Sequence, residues 1–172
     1  MTAIRPIPAA ALATALVAFA VPASAQTIQR IGEYNDWSAY VGQEEGAKVC
    51  FVATSPTKSE GDYTRRGRVF AIVTVRPAEN RGPEVSFVAG YPFKEGSTLD
   101  VDIDGSGYRL FTRDDTAWLP NTPDVDEQMV QAMKRGLSMV AKGTSSRGTV
   151  TTDSYSLRGF TAAYGAMEGA CR

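Results

Sequence analysis

Leu99, Val101 and Ile103 alternate with Asp100, Asp102 and Asp104. On a helix these six side chains would spread around the whole circumference. On a strand the aliphatic ones share one face and the acids share the other. The turn at 105–107 and the returning run YRLFT over 108–112 complete a hairpin pattern. The same grammar recurs along the chain. RVFAIVTVR over 68–76 is rich in β-branched and aromatic residues, as strands prefer. Residues 37–41, 49–53, 84–89, 137–142 and 149–157 read as further strands, with 49–53 apolar enough for burial on both faces. Residues 26–32 read as a loose lead-in, 42–46 as a turn and 55–67 as an exposed loop. Many short strands without βαβ alternation predict an all-β, sandwich-like, mostly antiparallel domain.

Two helices interrupt the pattern. Near 123–135, Thr122 is placed to cap, Pro123 opens the first turn, and Asp124, Asp126 and Glu127 crowd its positive end. Val125, Met129 and Met133 recur at helical spacing, and Gly136 stops the run. A short C-terminal helix over 161–168 would present Phe160, Ala163, Tyr164 and Met167 on one side.

The first residues are of another kind. Arg5 precedes an apolar run from Ile7 to Val21, and Ala23-Ser24-Ala25 follows Pro22. This is the grammar of a cleaved export signal. The run is shorter than the roughly 20 residues that span a bilayer. Residues 1–25 are therefore expected to be removed after Sec-type export, leaving 26–172 as one β-rich domain. Its destination is then the periplasm, the outer surface or the medium.

Composition narrows the function. The chain carries 18 basic and 19 acidic side chains, so it lacks the basic footprint that nucleic acid or anionic lipid demands. It has no histidine, which removes Ser-His-Asp and Cys-His chemistry and the commonest zinc ligand. No cofactor and no metal is expected. Cys50 and Cys171 suggest one intramolecular disulfide in an exported protein. Two buried free thiols, or pairing with another chain, are the alternatives.

Other motifs reduce to structure. DVDIDG over 100–105 opens like a calcium loop, but its twelfth position is Phe111 and its aliphatics demand a strand. Ser55 and Lys58 share the S-x-x-K spacing of penicillin-recognising enzymes, yet Pro56 opposes the helix that chemistry needs. GTSSRG over 143–148 is a hairpin turn before it is an anion nest. The acids at 114–115 and 124–126 belong to a loop and a helix start.

Several stretches resemble the invasion-associated locus B family. They are VAKGTSSRGT over 140–149, DSYSLRGFTAA over 153–163 with Cys171, EVSFVAGYPF over 84–93, Ala117-Trp118, and the early Trp37 and Cys50. The resemblance implies an all-β sandwich-like domain in the periplasm or cell envelope. It implies no enzymatic activity, and the family is named for a contribution to host-cell invasion. The chain departs from the founding pattern in lacking a Cys after the early Trp and further cysteines near the middle.

These readings converge on a non-enzymatic envelope protein that binds an envelope or extracellular protein. The expected contact surface is Lys58, Tyr63, Arg65 and Arg66 in the 55–67 loop with Thr144, Ser145, Ser146 and Arg147 in the turn. The alternative is a small-molecule or glycan binder with Tyr91 and Trp118 in a pocket beside Arg147. A hydrolase using carboxylates or Ser-Lys chemistry is a third.

Overall fold

The structure, a computed structural model, describes residues 27–122 and 124–172. The expected export segment and Pro123 lie outside the described residues. The chain runs through β1 (Gln29–Tyr34), β2 (Trp37–Glu44), β3 (Ala47–Thr54), β4 (Lys58–Gly61), β5 (Phe70–Val75), β6 (Glu84–Val88), β7 (Thr98–Ile103), β8 (Ser106–Arg113) and β9 (Thr116–Trp118). Then follow α1 (Val125–Arg135), β10 (Ser138–Thr144), β11 (Val150–Ser156) and α2 (Phe160–Cys171). Among the described residues the strands form one antiparallel sheet in the order β1-β2-β3-β5-β6-β9-β8-β7-β10-β11-β4. Tight hairpins join neighbours where the sequence supplies residues that tolerate positive φ, as at Glu45-Gly46 and Asp104-Gly105.

The sheet curls until its two halves face each other. Phe87 of β6 meets Tyr155 of β11 edge to face, 5.9 Å between centroids. The Trp37 indole N–H donates to the Ser156 carbonyl at 3.0 Å, closing β2 onto β11. Val52, Val73, Val85 and Phe87 fill the interior from one half, and Val101, Leu110, Met139 and Tyr155 from the other. This is the sandwich-like all-β architecture that the alternation requires.

α2 packs against β1, β2 and β3 on their inner face. Phe160 packs edge-on against Trp37, with centroids 4.8 Å apart. Phe160, Ala163, Tyr164 and Met167 are buried, and each of the large ones stabilises the fold by about 1.5–3 kcal/mol through area removed from water. Cys171 and Cys50 are disulfide-bonded across a separation of 121 residues. A loop of that length contributes about 4–5 kcal/mol in the chain-entropy model. Gly159 enters α2 at φ 89°. A Cβ there would strike the Tyr34 carbonyl, so the strand and helix approach this closely only over glycine.

The details depart from expectation in physical ways. α1 starts at Val125 behind Asp124 in a left-handed conformation, not behind Thr122. Asp126 is drawn away from its own helix end, accepting the Val85 N–H at 2.7 Å and so tying α1 to β6. Residues 29–34 are a strand rather than a lead-in, and the 42–46 turn shrinks to Glu45-Gly46 because β2 continues to Glu44. β3 buries Cys50, Val52 and Thr54 on one face, while on the other Val49 is buried and Phe51 and Ala53 are half-buried, with Phe51 stacked on Tyr40. The 55–67 loop contains the edge strand β4, paired to β11.

Candidate functional site

Two segments far apart in sequence meet beside β11. The 62–67 segment leaves β4, and the 144–149 turn joins β10 to β11. Together with Tyr91 and Pro92 they enclose a groove of about 670 Å³. Tyr63, Arg65, Arg66, Ser145, Ser146 and Arg147 all line it. Lys58 lies apart on β4, exposed and ion-paired with Glu60 at 2.9 Å. Thr144 lies at the end of β10 with its carbonyl accepting the Lys94 N–H, and does not line the groove.

Arg66 is the keystone of the groove wall. Its guanidinium donates to both Asp153 carboxylate oxygens, at 2.7 and 2.6 Å, and its Nε donates to the Ala89 carbonyl at 2.7 Å. Its charge lies over the Tyr91 ring, 4.9 Å from the centroid, and within 5.6 Å of the Tyr63 ring. The Arg66 and Asp153 side chains are only 5% and 6% exposed. Burial disfavours the Arg66 charge, but the bonds and attraction of Asp153 outweigh it and raise its pKa further. Ser59 donates to the same carboxylate at 2.7 Å. Arg66 is thus not a free surface group, because Asp153 uses its donors. Burial also pushes the Tyr91 hydroxyl up, against its 2.6 Å bond with Thr151.

The turn is built rather than open. Ser145 is buried, and its N–H and hydroxyl bridge to Thr149. The N–H groups of Ser146 and Gly148 go to the Pro92 and Ser145 carbonyls. With those donors spent, the turn offers no backbone nest for an anion. Arg65 and Arg147 remain. Both are exposed, and neither has an ion-pair partner among the described residues. Asp62 is the carboxylate that lines the groove with them.

Trp118 lines a different groove, of about 940 Å³, with Phe111, Leu119, Arg113, Asn121 and Asp124. Tyr91 and Trp118, expected to share a pocket, are therefore in separate ones. Asp153 escaped sequence reasoning altogether. An acid alternating with Thr151 and Tyr155 on a strand marks a buried position, and that was the available signal. Among the described residues no group of three or more His, Cys, Asp or Glu side chains could hold a metal ion. No described helix is long and apolar enough to cross a membrane.

Comparison with known proteins agrees with this architecture. The family model of the invasion associated locus B (IalB) protein matches residues 37–168. Among solved structures, the crystal structure of invasion associated protein B from Bartonella henselae is 19% identical. It superposes with a TM-score of 0.59 over 81% of this chain and 95% of that one. At this identity the likeness concerns the fold. No curated protein matches the chain.

Proposed function

The chain belongs to the invasion-associated locus B family, and from that premise we propose that its first groove seats an acidic segment of an envelope or extracellular protein. On this reading the chain is an exported, non-enzymatic envelope protein that acts by protein–protein interaction. The observation that carries the proposal is the convergence of Arg65 and Arg147 on one groove with neither charge matched. Arg66 beside them is already neutralised by Asp153, so it shapes the wall while the other two face outward. Tyr63, 36% exposed, adds the amphipathic ring that interfaces favour. Guanidinium groups from two different segments can each fork onto a carboxylate, which gives register as well as attraction.

The test is in-cell crosslinking of the envelope followed by mass spectrometry, comparing the parent with the Arg65→Glu/Arg147→Glu variant. A partner with an acidic segment should be recovered with the parent and lost with the variant. Its recovery should fall as salt rises, since exposed charges are screened. Retention of the same partner by the charge-reversed variant would defeat the proposal.

A further inference from the structure

Two aromatic pairs lie stacked, Tyr40–Phe51 at 14° and Phe111–Trp118, while the buried pair Phe160–Tyr164 is tilted at 42°. Trp37–Phe160, Phe87–Tyr155 and Tyr91–Phe93 lie in or against the core, and their planes cross at 68°, 71° and 73°. Phe111 and Trp118, paired across β8 and β9, instead lie nearly parallel at 26°, with centroids 5.8 Å apart. Their neighbours Leu110 and Ala117 point into the core and are fully buried. The two rings therefore face outward, and Phe111 is 44% exposed. A cross-strand ring pair steadies a sheet modestly wherever it sits. This one also floors a groove of about 940 Å³.

The rim of that groove is polar and uncommitted. The side chains of Arg113, Asn121 and Asp124 line it, are exposed, and have no hydrogen-bond partner among the described residues. They offer, in turn, donors only, both donor and acceptor, and acceptors only. Asp126 and Glu127, by contrast, are engaged with the Val85 N–H and with Gln131. Four carboxylates line the groove, at Glu84, Asp124, Asp126 and Glu127, against two guanidiniums at Arg81 and Arg113.

We propose that the Phe111–Trp118 shelf is a binding site for a neutral oligosaccharide. The face of a pyranose presents C–H groups with partial positive charge, which suit the electron-rich face of an aromatic ring. Its hydroxyl edge needs donors and acceptors together, and the rim supplies both. The carboxylate surplus repels acidic glycans and acidic peptides, so this groove and the first one select different chemistry. The assignment stands independently of the partner proposed for the first groove.

The chain has two tryptophans. Trp37 is fully buried, and Trp118 forms the shelf, so Trp118 reports on the site. The mature protein is titrated with tetrasaccharides of glucose and of N-acetylglucosamine, with a galacturonate tetramer as the acidic counterpart. At least one neutral sugar should shift Trp118 emission and shield it from acrylamide in the millimolar range, while galacturonate does not. Trp118→Phe serves as the blank. Phe111→Ala should weaken binding by about tenfold or more with its near-ultraviolet circular dichroism retained. Arg113→Ala, exposed and outside the core, should weaken it too. No response to either neutral sugar, tighter binding of galacturonate, or unchanged affinity in both variants would overturn the assignment. So would displacement of the sugar by a lysine-rich peptide that binds more tightly.

Discussion

The two grooves are walled by different physics. Beside Tyr91 the wall is a buried ion pair, with Arg66 and Asp153 locked together under two tyrosine rings. Beside Trp118 the floor is a pair of rings on the outer sheet face, and the uncommitted polar side chains stand at the rim. In the first groove, architecture and surface are inseparable, because removing one charge strands the other. In the second, the recognition surface can change while the core stays intact. A buried charge constrains what surrounds it far more than an exposed ring does.

Four expected outcomes test that contrast. Asp153→Ala has the largest effect, since it leaves the Arg66 guanidinium buried and unpaired. It should cost about 3–5 kcal/mol in urea unfolding, and a loss under about 1 kcal/mol would mean the pair behaves like a surface one. Next, Arg66→Met combined with Asp153→Leu should recover most of that loss, about 3 kcal/mol relative to the single variant. If the double variant is as weak as the single, the pair gives net stability rather than geometry. Phe111→Ala should cost only about 0.5–1 kcal/mol by the same assay. A much larger loss would place the ring in the architecture after all.

The smallest effect is a pH slope. Burial raises the Asp126 carboxyl above its ordinary value, with Glu84 adding to it, against the Val85 N–H. A group raised on folding contributes its stability below the unfolded pKa and loses it as pH rises through the folded one. Asp126 therefore favours the fold on the acid side. Asp104 is the opposite case, lowered by the Leu137 N–H and by Ser138. It contributes above its unfolded pKa and loses that contribution as pH falls through the folded one. In calorimetry between neutral pH and about pH 3, Asp126→Asn should lose Tm more steeply on acidification than the parent, and Asp104→Asn less steeply. Identical slopes in all three would refute both assignments.

What the sequence disclosed follows from what is local. The hairpin of β7 and β8 was legible because alternation and turn residues lie within a few positions of each other. α1 and α2 were legible from spacing, although the cap at Asp124 was not, because Asp126 answers to β6 rather than to its own helix. β1 went unread because its residues are mostly exposed and Gly32 breaks their pattern. β4 went unread because its four residues are all exposed and only β11 makes them a strand. The candidate surface was half legible. Arg65 and Arg147, expected on a contact surface, line one groove, but nothing near Arg66 in the sequence points to Asp153, 87 positions away. Non-local pairing carries no local signature, and sheet order is made almost wholly of it.

The seating of α2 sets a schedule as well as a structure. During translocation β1, β2 and β3 emerge long before the helix that covers them. Until α2 arrives, Trp37, Ala39, Cys50 and Val52 present an oily surface to whatever is nearby, and the Cys50 thiol has no mate. The newborn chain must therefore pass through a vulnerable interval in which a holding chaperone is useful and a wrong thiol partner is dangerous. The last helix to arrive both closes the interior and ends that interval.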